Sequence, residues 1–157
     1  MSAPEPVAVV RWDHWCKATY QSDTLVEALT MPISTIIITL EERFDSCYTA
    51  EECQQRMREV QDHYATEMSC LNIPYNFMIA NDGLVYEGRG WKEKPWKSRL
   101  YDDLKDRTMD IAVLGRDKVK QEEALNVLHT FVINCMDMKA IADNYTVKSF
   151  RGETKLF

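Results

Sequence analysis

Cysteine and histidine are the side chains of this sequence that are best suited to redox chemistry or metal binding. Cys47 and Cys53 are separated by five residues, close to the start of a predicted helix. Two cysteines at this separation can close a short loop as a disulfide. A metal site is the alternative, but neither cysteine has an adjacent histidine or a second cysteine pair. A disulfide between Cys47 and Cys53 is therefore favoured over a metal site.

The composition favours one compact domain. The 157 residues carry a formal net charge of −6, whereas a phosphate-binding surface needs clustered lysine and arginine. The apolar run from Ile33 to Leu40 fits a strand and is too short for a transmembrane helix. Met1 to Pro4 lack the charged and then apolar pattern of a signal peptide. We predict a single domain over residues 1–157 and no nucleic-acid partner.

Asn144, Tyr145 and Thr146 form an N-glycosylation sequon. Such triplets often arise by chance, so the sequon alone is weak evidence. Together with the predicted disulfide it favours an oxidising, extracellular setting. We therefore predict an extracellular chain with Asn144 as a glycosylation site.

The first half of the chain contains a strand, a helix and a hairpin. Thr35 to Leu40 is β-branched and uninterrupted, which indicates a central strand covered on both faces. Thr49 and Glu52 form a capping box before a long amphipathic helix, which should end near Ser69. Strands at Tyr75–Ala80 and Leu84–Glu87 flank residues 81–83, an Asn-Asp-Gly sequence that tolerates the positive φ of a tight turn.

The second half of the chain contains further predicted strands and another helix. Lys92 to Arg107 is polar and contains a proline, which predicts a long connection with at most one helical turn. The patterns predict a strand at Ile111–Leu114, an amphipathic helix at Lys120–Lys139 and a last strand at Val147–Phe150. This order predicts an α/β fold, with a central mixed β-sheet flanked by helices.

A series of short sequences occurs in an order that is typical of one family. The series consists of Val10-Arg11 with Trp15, the Cys47 and Cys53 pair, Val60-Gln61, Tyr75 to Phe77, Asp82-Gly83, Val85 to Trp91, and Ala124-Leu125 before Cys135. In these features the chain resembles the peptidoglycan recognition proteins, relatives of phage-type N-acetylmuramoyl-L-alanine amidases. The resemblance covers most of the chain and implies the amidase-like fold of that family.

The resemblance also implies where an amidase of this family would hold zinc. Catalytic members bind the ion with two histidines and a cysteine, and leave one position for the attacking water. Here Ile38 to Glu41 stands in place of the first histidine and Phe150 in place of the second, and Gly152 to Phe157 contains no cysteine. The sequence offers no replacement pair among its three histidines, His14, His63 and His129. We predict no catalytic residue, no metal and no cofactor.

Three residues match the family's ligand groove and are predicted to be its vestige. Tyr75 corresponds to the tyrosine that assists in the amidases, and without a metal its expected role is packing against the sheet. Arg89 and Trp91 are retained, and an arginine between two glycines is expected to anchor the hairpin more than to bind ligand.

Other changes predict a groove that binds peptidoglycan weakly or not at all. Glu41 places a negative charge where the family often has threonine, and an unpaired charge there would repel a partly anionic peptide stem. Lys92 to Ser98 replaces a shorter loop, and its Pro95 and Trp96 are expected to fill or reshape the cleft.

Within the family the chain most resembles insect membrane-associated recognition proteins of the immune-deficiency pathway. The resemblance implies a non-catalytic ectodomain that binds another recognition-protein domain and modulates peptidoglycan-receptor signalling in innate immunity, as inhibitor or co-receptor. The alternative is a sensor that binds diaminopimelic-acid-type peptidoglycan directly. Candidate partner contacts, which could equally cover the protein's own cleft, are Trp96, Arg99, Leu100 and Tyr101.

Three cysteines remain outside the predicted disulfide. The resemblance makes a pairing of Cys16 with Cys70 one option, while Cys135 either pairs with a cysteine outside this chain or stays buried as a thiol. The sequence leaves these options open.

Overall fold

The structure, a computed structural model, describes residues 8–16, 29–67, 73–91, 93–99, 107–152 and 154–155. They form a mixed sheet of seven strands with helices on both faces, which confirms the predicted α/β fold. The strands are β1 (Val9–Val10), β2 (Ile33–Glu41), β3 (Phe77–Ile79), β4 (Val85–Glu87), β5 (Thr108–Leu114), β6 (Ile141–Arg151) and β7 (Thr154–Lys155). The α-helices are α1 (Trp12–Trp15), α2 (Ala50–Glu67) and α3 (Lys118–Asp137).

Strand β2 lies inside the sheet, as predicted. The strand order is β1-β4-β3-β5-β2-β6-β7, and β2 pairs in parallel with β5 on one side and β6 on the other. Thr39 of β2 is opposite both Ala112 and Phe150. The carboxyl ends of these three parallel strands therefore share one edge of the sheet, where ligand sites of open α/β sheets usually form.

The sheet separates two apolar layers. On one face α2 contributes Met57, Val60 and Tyr64 to a cluster with buried residues of β3, β4 and β5. On the other face α3 contributes a second apolar stripe to a cluster that includes Ile36 and Ile111. Each layer removes a continuous apolar surface from water, which is the main favourable term in folding.

The start of α2 is fixed to the preceding loop by polar contacts and a covalent bond. Thr49 Oγ1 accepts a hydrogen bond from the Glu52 amide at 3.1 Å, and Glu52 Oε1 accepts from the Tyr48 amide at 2.6 Å. The predicted disulfide between Cys47 and Cys53 is present. The predicted helix end near Ser69 lies outside the described residues, which follow α2 to Glu67.

The hairpin of β3 and β4 has the predicted turn. Phe77 pairs with Glu87 and Ile79 pairs with Val85 in antiparallel register, and Gly83 has a φ of +81°. The following connection contains one 3₁₀ turn at Trp96–Arg99, while Lys92 and residues 100–106 lie outside the described part of the chain.

The C-terminal strands extend beyond their predicted bounds. Strand β5 begins three residues before the predicted Ile111, and β6 spans Ile141–Arg151 where Val147–Phe150 was predicted. The first half of β6 is mainly polar and exposed, and its register against β2 is irregular between Ile33 and Thr35, so it lacks the apolar alternation that indicates a strand. Within the described ranges, no helix combines the length and apolarity needed to cross a bilayer.

Candidate functional site

We use the name cleft floor for a buried group of five side chains on the α2 face of the sheet, which includes residues that stand in place of the amidases' zinc ligands: Ile37, Thr39, Glu41, Asp110 and Phe150. Strand alternation places Ile37, Thr39 and Glu41 on one face of β2. The register sets Asp110 opposite Ile37 and Phe150 opposite Thr39. All five residues are completely buried. A buried carboxylate must be paired with a cation or protonated. The partners of Glu41 and Asp110 therefore decide whether either acid is available to bind a ligand or a metal ion.

Glu41 is surrounded by hydrogen-bond donors. Its Oε1 accepts from Arg43 Nε at 2.9 Å, and its Oε2 accepts from Arg43 Nη2 at 2.9 Å and from the Tyr64 hydroxyl at 2.7 Å. The Tyr75 hydroxyl donates to the same Oε2. The arginine also lies over the Tyr64 ring, with its guanidinium carbon 5.3 Å from the ring centroid.

These contacts decide the protonation of the cluster. Burial acts to raise the pKa of Glu41, but the hydrogen bonds from Arg43, Tyr75 and Tyr64 outweigh it, and the pKa lies below the ordinary value of 4.5. Burial and the charge of Glu41 raise the pKa of Tyr75 well above its ordinary value of 10.0. At neutral pH the carboxylate is therefore charged and the Tyr75 phenol keeps its proton.

The prediction that Glu41 leaves an unpaired charge in the groove is wrong. The bidentate ion pair with Arg43 compensates its charge, and the two tyrosines use the remaining acceptor capacity of Oε2. The sequence did not show this because the pairing depends on how the chain turns after β2 and on Tyr64 of α2, which is 23 residues away.

Asp110 forms a second buried ion pair, with Lys97 of the 3₁₀ turn. Lys97 Nζ lies 2.9 Å from Asp110 Oδ2 and 3.1 Å from Thr39 Oγ1, and Thr39 donates to Asp110 Oδ1 at 2.7 Å. The ammonium also lies 5.0 Å from the ring centroids of both Tyr75 and Phe150. Aromatic faces attract cations at this distance.

Burial and charge act in opposite directions on Asp110. Burial raises the pKa of its carboxyl, while the Lys97 ammonium and the Thr39 hydrogen bond oppose the rise, and the net result is a pKa above the ordinary value of 3.8. The floor therefore contains two acids with different surroundings. The hydrogen bonds around Glu41 stabilise its anion, whereas the negative charge of Asp110 is balanced by the Lys97 ammonium.

Sequence and structure comparisons place the chain among known proteins, although no family model matches it. Peptidoglycan recognition protein 1 of Mus musculus is 30% identical over 108 residues, which cover 67% of this chain and 58% of that protein. The chain belongs to the peptidoglycan recognition protein family. It spans little more than half the length of this mouse relative.

Solved structures of recognition proteins share the fold. The ectodomain of the Drosophila transmembrane receptor PGRP-LCa has a TM-score of 0.76 at 23% identity, covering 88% of this chain and 82% of that one. A complex of tracheal cytotoxin with the ectodomains of PGRP-LCa and PGRP-LCx gives a TM-score of 0.78 at 21% identity, covering 96% and 87%. These similarities support the α/β architecture described above.

The zinc-binding set of the family's amidases does not fit this recognition protein. Phe150 offers no lone pair, and the Thr39 hydroxyl is engaged with Asp110. Glu41 is a carboxylate, but Arg43 and two tyrosines already occupy its oxygens. Across the described ranges, no three His, Cys, Asp or Glu side chains lie together as a metal site would require.

The structure does not gather the three predicted groove residues at one place. Tyr75 lies at the cleft floor, bound to Glu41. Arg89 is buried and donates from Nε to the Ile73 carbonyl at 3.0 Å. Trp91 belongs to the cluster on the α3 face, 5.1 Å from the Phe77 ring centroid. Arg89 therefore ties the hairpin to the segment before it, and Trp91 packs on the other side of the sheet.

The candidate contact residues are only partly described. Trp96 is half-buried against the α2-side cluster, and its amide donates to the Pro74 carbonyl at 3.0 Å. Arg99 ends the 3₁₀ turn, while Leu100 and Tyr101 lie outside the described residues. Asn144 is exposed on β6.

The remaining cysteines differ in their surroundings. Cys16 contacts Gln61, whose Nε2 lies 3.3 Å from its Sγ, and Cys70 lies outside the described residues. Cys135 is buried on α3 as a thiol, and burial raises its pKa to about 12. A thiol with this pKa is almost fully protonated at neutral pH and is a poor nucleophile.

Sequence analysis did not identify Asp110 of the floor, nor three residues that bind the floor's acids: Arg43, Tyr64 and Lys97. One signal was available, because Asp110 stands in an apolar strand and a buried aspartate needs a partner. Lys97 stands in a connection rich in charged residues, and nothing in that stretch of sequence indicates that its side chain turns inward.

Replacing Glu41 by Gln should remove a pH-dependent contribution to stability. Because the folded pKa is lowered, this contribution is present above the ordinary value of 4.5 and is lost as the pH falls through the folded pKa. We expect wild type to exceed E41Q by about 2 kcal/mol in unfolding free energy at pH 7, a typical value for hydrogen bonds to a charged group. Urea unfolding at pH 7, 5, 4 and 3 should show this difference shrinking below pH 4.5.

The matched control is Glu123→Gln, which removes an exposed carboxylate from an ion pair with Lys120. That change should cost less than about 0.5 kcal/mol at every pH. A difference between wild type and E41Q that stays constant from pH 7 to pH 3 contradicts the assignment of Glu41 as a stabilised anion.

Proposed function

We propose that this chain is a non-catalytic peptidoglycan recognition ectodomain of innate immunity. In this proposal it modulates peptidoglycan-receptor signalling by binding another recognition-protein domain, as an inhibitor or as a co-receptor, and residues 1–157 form one domain. Its own peptidoglycan groove is degenerate. The observation that carries the proposal is the cleft floor, where the buried acids Glu41 and Asp110 are bound to the protein's own Arg43 and Lys97.

The residue types at the floor support the proposed lack of catalysis. A hydrolase of this family needs a zinc ion to generate its nucleophile, and neither Phe150 nor the engaged Thr39 can act as a ligand. Tyr75 could stabilise an oxyanion in an amidase, but here its hydroxyl donates to Glu41. The residues that remain are committed to one another and leave no group that could activate water.

The burial of the floor supports the proposed degenerate groove. A ligand pocket needs exposed polar groups that can exchange water for ligand. At the floor Thr39, Glu41 and Asp110 are completely buried and hydrogen-bonded within the protein. A muropeptide would have to displace these internal contacts, which supports weak or absent binding.

Partner binding is proposed by analogy with a related assembly. PGRP-LCa and PGRP-LCx form an ectodomain complex with tracheal cytotoxin, and this chain shares their fold. A domain without a usable groove can still supply a surface to a relative that holds the ligand. The proposed contact surface is the loop after Trp91, with Trp96, Arg99, Leu100 and Tyr101.

An extracellular location is consistent with two features of the chain. The Cys47–Cys53 disulfide suits an oxidising compartment, and Asn144 lies exposed within its sequon. We propose an ectodomain of a membrane protein, glycosylated at Asn144. Mass spectrometry of protein secreted from insect cells, before and after glycosidase treatment, tests the modification.

Calorimetry against a muropeptide-binding recognition-protein domain tests the main proposal. Titrations are made with and without a diaminopimelic-acid muropeptide. Association only with ligand present indicates a co-receptor, and association without ligand indicates an inhibitor. Failure to associate in both conditions overturns the proposal. Binding of the muropeptide to the isolated chain with micromolar affinity or tighter instead supports the alternative, a direct sensor.

Variants in the loop test the proposed surface. Arg99→Ala combined with Tyr101→Ala should weaken association at least tenfold, because arginine and tyrosine commonly dominate binding energy. Val119→Ala is the control, since Val119 is 66% exposed on α3, away from the loop in sequence. Equal affinity for the loop variant and the control contradicts the assigned surface.

A further inference from the structure

Lys97 is a charged residue whose side chain is buried. Only 3% of its side chain is exposed, and Asp110, its partner, is completely buried. Taking an ammonium group out of water is costly, and the attraction of one carboxylate often does not repay the cost. Lysines in polar connecting segments usually keep their charge in solvent. The inward position of Lys97 therefore needs a specific set of compensating contacts.

The floor supplies those contacts from three strands and the segment before β3. Asp110 of β5 and Thr39 of β2 accept hydrogen bonds from Nζ at 2.9 and 3.1 Å. The rings of Tyr75 and of Phe150, on β6, each lie 5.0 Å from the nitrogen. Two oxygen acceptors and two aromatic faces around one point form a cation-binding cage.

The same lysine connects a segment of the chain to the sheet. We call residues 93–99 the strap. Its first residue is held by Asn76, whose Nδ2 donates to the Glu93 carbonyl at 2.7 Å, and its middle is held by the hydrogen bond from the Trp96 amide to the Pro74 carbonyl. Both of these ties reach the segment before β3. Lys97 adds the contact that reaches β2 and β5.

We propose that Lys97 is a built-in cation at the cleft floor, which takes the place of a bound metal ion and pins the strap across β2 and β5. The family's amidases hold a zinc ion through coordination by side chains, whereas this chain carries a cation that is covalently part of a lysine. The buried Asp110 carboxylate then requires a positive charge beside it, and Lys97 supplies that charge without an ion from solution.

Two features of the cage define which cations it accepts. The acceptors on Asp110 and Thr39 require N–H donors, which a primary ammonium has and a quaternary ammonium lacks. The buried carboxylate requires a positive charge, which a neutral alcohol of the same shape lacks. A primary alkylammonium ion should therefore replace the missing side chain, and the other two kinds of molecule should not.

Chemical rescue of Lys97→Ala tests the proposal. The substitution deletes Cγ, Cδ, Cε and Nζ, the same heavy atoms that n-propylammonium contains. We expect the thermal midpoint of K97A to fall by about 10 °C, because an uncompensated carboxylate remains buried. Adding n-propylammonium should recover part of this loss, whereas 1-propanol, tetramethylammonium and Zn²⁺ at matched ionic strength should not.

The control for rescue is Lys118→Ala. Lys118 forms an exposed ion pair with Glu42, and 70% of its side chain is exposed. Its loss should change the midpoint by less than about 2 °C, with no response to n-propylammonium. A K97A midpoint within about 2 °C of wild type, or equal rescue by 1-propanol, overturns the proposal, because each outcome shows that charge at this point is not required.

A second variant covers the case in which K97A does not fold. Lys97→Met with Asp110→Asn removes both charges, and this protein should fold and be insensitive to n-propylammonium. Hydrogen exchange then tests the strap, since the Trp96 amide should exchange at least tenfold faster than in wild type while amides of β5 keep their protection. Unchanged exchange at Trp96 shows that Lys97 does not pin the strap.

The inference rests on the non-catalytic part of the proposed function and is independent of partner binding. Thermal midpoints and exchange rates are measured on the isolated chain. Failed rescue therefore rejects the built-in cation without affecting the partner proposal, and failed association with a relative leaves the cation intact.

Discussion

Replacing Asn76 by Ala is expected to lower the free energy of unfolding by about 4 kcal/mol, one of the two largest effects predicted here. Asn76 is completely buried. Its Nδ2 donates to the carbonyls of Gly90 and Glu93 at 2.9 and 2.7 Å, and its Oδ1 accepts from the Asp110 amide at 2.8 Å. Alanine would leave two buried backbone groups and the half-buried Glu93 carbonyl without these partners, and each buried group costs about 1 to 3 kcal/mol.

Urea unfolding monitored by tryptophan fluorescence measures this loss. The control is Asn126→Ala, which removes an exposed asparagine from α3 and should change stability by less than about 0.5 kcal/mol. A loss below about 1 kcal/mol for N76A would mean that water reaches all three backbone groups, and that Asn76 does not join the hairpin, the strap and β5.

Gly115→Ala is expected to cost about 3 kcal/mol, through strain and steric overlap together. Gly115 has a φ of +99°, a conformation that L side chains rarely adopt. A Cβ at this residue would lie 2.3 Å from Ser46 Oγ and 2.9 Å from Ser46 Cα. The second contact is with backbone, so side-chain rotation cannot relieve it.

Gly83→Ala separates the two contributions. Gly83 has a similar φ of +81°, but no atom lies within 4 Å of the added Cβ. Its substitution should cost only the strain of positive φ, about 1 kcal/mol. Thermal unfolding of both variants beside wild type gives the difference, and equal losses would show that the loop at Ser46 moves to accept the methyl group.

Local sequence patterns predicted the elements that are apolar and regular. The uninterrupted β-branched run gave β2, the capping box gave the start of α2, and Asn-Asp-Gly gave the hairpin turn. The polar half of β6 and the short strands β1 and β7 were not predicted. Their pairing is decided by neighbours far along the chain, and a strand at the sheet edge needs no apolar alternation.

The sequence predicted which zinc-ligand types are absent from the candidate site better than it predicted the ion pairs that are found there. The missing ligand at Phe150 was recognised from sequence, because a phenylalanine side chain has no lone pair for a metal ion. Lys97 and Asp110 were not, because their ion pair joins residues from a connection and a strand that sequence periodicity does not relate. Glu41 was predicted to carry an unpaired charge, which is wrong. Its ion pair with Arg43 depends on the side-chain geometry of the turn after β2, which the sequence does not show.

The position of β2 has a consequence for synthesis of the chain. Its two hydrogen-bonding neighbours, β5 and β6, both follow it from far along the sequence. A nascent chain that has released only its first half therefore presents the isoleucines of β2 with neither edge paired, a state prone to aggregation. Biogenesis of this domain should depend on chaperones until the C-terminal third has emerged from the ribosome.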